Sequence, residues 1–189
     1  MASISMHVTN FAYNLAFLSE CIPKEVEMPD KRRVLLNVFD TCGMVRLTVM
    51  FYEVVSSPYT DTPLLIQEQF IAMMDYHLKR ADGVMLVWDS QEREALGIMM
   101  DAHYRVYTVR DNCPCPIVLV GNFSDDTEYW ITYEQGQQLA KELGYPFFAV
   151  SAQTGKNIAE AFCELTRLVD SEVRQDDYSG KQGCNHHYF

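Results

Sequence analysis

Ala81-Asp82-Gly83-Val84-Met85-Leu86-Val87-Trp88-Asp89 and Pro116-Ile117-Val118-Leu119-Val120-Gly121-Asn122 decide the fold. Each holds a short apolar run that ends on polar residues. Runs of this length suit strands buried on both faces, as in a parallel sheet between helix layers, and are far too short to span a bilayer. A helix is predicted from Ser90, its cap, to about Arg110, with Glu92 and Glu94 at its positive end. Thr132 and Gln135 form a capping box for a second helix through Leu143. Phe147–Val150 is a further buried strand, and Ile158, Phe162, Leu165 and Val169 mark a last helix. Strands alternating with helices imply right-handed crossovers and a mostly parallel sheet.

Toward the N-terminus, Val8, Phe11, Leu15, Leu18 and Ile22 recur at helical spacing, which predicts a helix over Val8–Cys21 stopped by Pro23. Lys24–Asp30 reads as an acidic loop. Val34, Leu36 and Val38 alternate, as do Val45, Leu47, Val49 and Phe51, with Asp40-Thr41-Cys42-Gly43 between them as a hairpin turn. A second reading ends the third strand at Val34–Asp40 instead of placing it at Val45–Tyr52; the regular alternation of the later segment favours the hairpin. Thr62-Pro63 starts a helix that runs to about Leu78. One domain over residues 1–170 is expected, with a mobile polar tail over 171–189.

The chain has 189 residues, of which 48% are hydrophobic, enough for a packed domain. Acidic residues outnumber basic ones 26 to 15, a formal charge of −11, which argues against nucleic acid or anionic lipid as a partner. The start of the chain lacks the basic and unbroken apolar pattern of a signal peptide. Six cysteines, Cys21, Cys42, Cys113, Cys115, Cys163 and Cys184, show no disulfide or zinc spacing, so reduced thiols, no metal site and a cytoplasmic location are expected.

Three stretches in order resemble the Ras superfamily of small GTPases: Ala81–Asp89, Pro116–Asp125, and Phe148-Ala149-Val150-Ser151-Ala152-Gln153. The second resembles the strand and Asn-Lys-x-Asp motif that reads guanine, and the third the Ser-Ala-Lys motif. The last helix, Asn157–Val169, follows the same pattern. The resemblance implies a P-loop-NTPase-like α/β fold in three layers, a mostly parallel sheet with one antiparallel edge hairpin. It places a guanine site at Asn122, Phe123, Asp125, Ser151 and Ala152. Asp125 would accept from the base's N1 and amino group, Asn122 would hold the loops together and reach the base, and the Ala152 amide would reach O6. Phe123 and Gln153 stand where the family has lysines; a phenyl ring stacks on a base but cannot tie two loops together. The alternative is that Asn122 and Asp125 only cap a turn and the following helix.

The family's phosphate loop does not appear. It needs glycines whose amides converge on phosphate, a lysine, and a Ser or Thr for magnesium. No glycine precedes Gly43, no lysine precedes Lys24, and no threonine lies between Thr9 and Thr41. If the third strand ends at Asp40, Asp40-Thr41-Cys42-Gly43 imitates the family's Asp-Thr-Ala-Gly, but Met44 replaces the glutamine that orients water. The central first strand is therefore expected to be short or missing, with Ala2–His7 as the segment to fill the gap between the strands Val45–Tyr52 and Gly83–Trp88. Cys184 is not placed for prenylation. These features predict a monomeric pseudo-GTPase that binds protein partners or effectors, with no catalytic residues and no cofactor. The alternatives are a divergent GTPase using GTP or GDP with magnesium, or an N-terminally incomplete chain of one.

Overall fold

The structure, a computed structural model, describes residues 3–10, 21–28, 30–42, 72, 74–123 and 129–179. The two apolar runs form β4 (Gly83–Asp89) and β5 (Ile117–Asn122). With β1 (Ser3–Asn10), β2 (Cys21–Glu27), β3 (Arg33–Cys42) and β6 (Phe147–Val150) they build one six-stranded sheet in the order β2-β3-β1-β4-β5-β6. All neighbours are parallel except β2 and β3, an antiparallel edge pair.

The period of two in β4 divides the core. Val84, Leu86 and Trp88 face one layer, and Met85 the other. The first layer holds α1 (residues 74–80), α2 (Ala95–Val109) and α3 (Tyr133–Leu143), through Met74, Leu78, Met99, Val106 and Ala140. The second holds α4 (Ile158–Ser179), whose Ala161 and Leu165 pack on Leu36, Val118 and Val150. Helices cover both faces, as a buried parallel sheet requires. Among the described residues no helix is long and apolar enough to cross a membrane.

The C-terminal half follows the sequence reading closely. The capping box forms: the Gln135 amide donates to Thr132 Oγ1 and the Thr132 amide to Gln135 Oε1. Gly144 closes α3 at φ 76°, a left-handed conformation that suits glycine. Two details differ. Ser90 does not cap α2, which begins at Ala95 after Glu94; its hydroxyl turns instead to the Asn122 carbonyl on the neighbouring strand. α4 continues past Ser171 through Ser179.

The N-terminal half corrects the reading in four places. First, Ala2–His7 was expected to fill the sheet centre beside Gly83–Trp88, and β1 does so, but it is a full strand running to Asn10, and its other neighbour is β3 and not Val45–Tyr52. Val8–Asn10, expected in a helix, belong to that strand. The backbone groups of β3 and β4 need partners at the sheet centre, and this overrides the helical spacing of the apolar residues. Second, Lys24–Glu27 is not loop but part of β2. An edge strand tolerates charge and proline on its solvated face: Pro23, Glu25 and Glu27 are exposed while Val26 is buried. Third, the hairpin turn lies at Met28–Arg32, where Lys31 has φ 64° and Asp30 Oδ1 accepts from the Arg32 amide. Fourth, Asp40-Thr41-Cys42 continues β3, so the third strand is the earlier segment and the neighbour of β1 is not Val45–Tyr52. Residues 43–71 lie outside the described residues, as do 11–20.

The thiols are not all reduced. Cys113 is disulfide-bonded, while Cys115 and Cys163 are free. The spacing carried no sign of this, because a disulfide depends on which loops the fold brings together.

Candidate functional site

In an open α/β sheet, ligands bind beyond the carboxyl ends of the strands, where strand order reverses. The order reverses at β1: the chain leaves it toward β2 and β3 on one side and returns to β4 on the other. Asn10, Cys42, Asp89, Asn122 and Val150 end the five parallel strands along that edge.

Ser90 organises the edge where β4 and β5 end. It is fully buried. Its Oγ donates to the Asn122 carbonyl at 2.6 Å and its amide to the same oxygen at 3.1 Å. Its own carbonyl accepts from the Trp130 and Ile131 amides at 3.0 and 3.1 Å, which places the entry to α3. Asp89 Oδ1 accepts from the Gln91 amide and shapes the turn after β4.

Four of the five predicted site residues come together here. The Asn122 side chain accepts from the Ala152 amide at 2.9 Å, joining the loop after β5 to the loop after β6. The Phe123 amide donates to the Val150 carbonyl at 2.8 Å, extending the ladder between those strands. Ser151 is buried, and its loop closes on itself: its carbonyl accepts from Gly155 at 2.8 Å, its amide donates to Lys156, and its Oγ accepts from Thr154. Gly155 has φ 78°, where a side chain would be strained. Asn157, at φ 58°, donates from Nδ2 to the Ala149 carbonyl at 2.8 Å. Asp125 lies outside the described residues.

The Phe123 ring folds back over the sheet end. It meets Tyr129 edge-on, with centroids 5.2 Å apart and planes at 73°. A Cβ on Gly121 would lie 2.7 Å from this ring and 3.0 Å from Trp88, so glycine there is a packing requirement. Trp88 in turn stacks on Phe147 at 5.4 Å. A base laid against Ala152 must therefore compete with Asn122 for the amide, and one laid on Phe123 meets a ring already packed against protein. Groups whose titration is shifted by burial lie elsewhere: His103 is lowered, Cys115, before β5, is pushed up to about 11, and Tyr145, before β6, to about 12.

Ser90, Gly121 and Asn157 were not anticipated as parts of this edge. Ser90 follows the last residue of β4, and a small hydroxyl residue just past a buried strand is a signal for such a tie.

Comparison with known proteins bears on this site. The family model described as "Ras family" matches residues 60–171, more than half of the chain. Ras-like protein 1 of Saccharomyces cerevisiae is 35% identical over 104 residues, 54% of this chain and 34% of that protein. The Ras-like proteins rasX and rasZ of Dictyostelium discoideum are each 35% identical over 104 residues, 54% of this chain and 49% of each of theirs. The matched segments thus span between a third and a half of the length of these curated relatives.

Proposed function

The chain belongs to the Ras family, and from that premise we propose that it is a pseudo-GTPase, a Ras-fold signalling module that engages protein partners and binds GTP or GDP weakly or not at all. One observation carries this reading. β1 ends at Asn10, at the switch point of the sheet, and the ten residues that follow are Phe-Ala-Tyr-Asn-Leu-Ala-Phe-Leu-Ser-Glu. In this fold a phosphate loop begins there. It requires glycines for close approach of the backbone, and a lysine as counter-charge, and Phe11–Glu20 offers neither.

Two further features support it. β3 ends in Asp40-Thr41-Cys42 and is followed by Gly43-Met44, so the position of the water-orienting glutamine holds a thioether. The residues present thus do not fit a magnesium nucleoside triphosphate. On the base side, the tie between Asn122 and Ala152 makes a fixed loop pair without needing a ligand. In this reading the Ras-like domain occupies residues 1–170 and works in the cytoplasm as a monomer, and it needs no cofactor.

A divergent GTPase is the second reading, favoured by the survival of the Asn122 and Asp125 pattern. Turnover separates the two. With GTP and magnesium, the purified chain is expected to release phosphate at the rate of a buffer control. A GTPase signal that survives further purification and disappears in Asn122→Ala would establish the second reading.

A further inference from the structure

An open groove of about 630 Å³ runs between α2 and α3, on the sheet face opposite α4. Leu96, Gly97 and Met100 from α2 and Leu139 from α3 give it an apolar floor, and Glu134 and Glu142 stand on its wall. Gln138 Nε2 donates to Glu142 Oε1 at 2.8 Å, which helps hold that carboxylate in place. Among the described residues, Lys and Arg are absent from the lining.

Gly97 is the telling residue. Glycine inside a helix costs about 1 kcal/mol relative to alanine. Gly83, Gly121 and Gly136 each have a packing reason, since a Cβ there would come within 3.0 Å of a neighbour. At Gly97 a Cβ would meet nothing within 4 Å. Nothing inside the described molecule requires the glycine, but the depression it leaves is the floor of the groove. Tyr104, 70% exposed, continues the apolar track of Gly97 and Met100 along α2 at helical spacing.

We propose that this groove docks a basic amphipathic helix of a partner protein. Apolar side chains one turn apart would enter over Gly97 and between Met100 and Leu139, while flanking Lys or Arg side chains meet Glu134 and Glu142. Those carboxylates are eight residues apart on α3, about 12 Å along the axis, so they read charges two turns apart on a docked helix. Charge complementarity selects this occupant over a second copy of the chain. A copy carries −11 and, in a two-fold arrangement, would set Glu134 and Glu142 against themselves. The proposal does not depend on the state of the nucleotide edge.

A labelled helical peptide with leucines at i, i+4 and i+7 and lysine flanks is the probe, and the same peptide with glutamate flanks the control; binding to the full chain is read by anisotropy. The lysine peptide should bind at least about tenfold more tightly than the glutamate one. Gly97→Leu, whose Cβ has open space and whose branch then occupies the groove floor, should weaken binding about tenfold or more while leaving the melting temperature equal or higher. Glu134→Lys with Glu142→Lys should do the same to binding, whereas Glu160→Lys, on α4, should change it less than about twofold. The proposal is overturned if Gly97→Leu leaves the affinity unchanged, since the attraction is then diffuse. It is also overturned if the lysine peptide fails to bind, or if sedimentation shows a dimer that Gly97→Leu abolishes.

Discussion

Arg110 offers a quantitative test of how the first helix layer is held. It follows α2, is only 5% exposed, and donates from Nη1 to the carbonyls of Leu78 and Ala81, both at 2.8 Å. Those carbonyls lie at the C-terminal end of α1, where helix acceptors have no partner of their own, and both residues are buried. Arg110→Met keeps the bulk of the stem and removes both donors. Each bond to a charged donor contributes about 1.5–3 kcal/mol, and each buried acceptor left bare costs about 1–3 kcal/mol. Against this stands relief from burying a guanidinium whose Nε has no partner among the described residues, a penalty of several kcal/mol. The net expectation is a loss of about 2–3 kcal/mol, because two acceptors are stranded and only one charge is released. For a chain of this size that is a fall of about 4–12 °C in melting temperature, read by calorimetry. Arg110→Lys, which keeps a charged donor but only one compact head, should fall between the two. If Arg110→Met melts at or above the wild type, desolvation dominates and the capping argument is wrong.

Other outcomes follow from the same coordinates. Burial lowers the pKa of His77 and His103 below the usual 6.5, so the unfolded chain takes up these protons first. Stability present at neutral pH should therefore be lost as pH falls through about 6.5, above the carboxylate range, and His103→Gln should flatten part of that slope in melting curves. Cys115, pushed up to about 11 by burial, has about one thiolate per thousand at pH 8, so native-state alkylation mapped by mass spectrometry should label Cys163 well before Cys115. Asn122→Ala should raise hydrogen exchange at the Ala152 amide by up to about tenfold, the worth of one net hydrogen bond; unchanged exchange would mean that the tie is not made in solution.

How much could be read from the chain differs between its halves for physical reasons. β4, β5 and β6 are buried on both faces and α3 carries its own start signal at Thr132, so local pattern and tertiary placement agree. At the N-terminus they disagree. Ala2–His7 was legible as the central strand because the sheet needs one there, but the helical spacing that begins at Val8 set its end too early, and the pairing with β3 and β4 carries the strand to Asn10. β2 hides because its solvated face carries Glu25 and Glu27, which look like loop residues when the buried Val26 between them is not weighed. Without β2 as a strand, the pattern leaves β3 a hairpin partner only downstream, which makes a turn of Asp40-Thr41-Cys42; the antiparallel pairing of β2 with β3 removes that need. Asn122, Phe123, Ser151 and Ala152 were named from the motifs they resemble, and the structure places them at and just after the ends of the neighbouring strands β5 and β6. The folding of Phe123 over Gly121, and the use of the Ala152 amide by Asn122, depend on contacts between loops and leave no trace in spacing.

Calorimetric titration of the purified chain with GTP and with GDP, each with and without magnesium, tests the central claim most directly. A chain whose β1 leads into Phe11–Glu20, without glycine or lysine, should show no tight magnesium-dependent binding of either nucleotide. Any residual heat should be independent of magnesium and lost in Asp125→Ala. Binding below about 1 μM that requires magnesium, about −8.2 kcal/mol or stronger, would contradict the account.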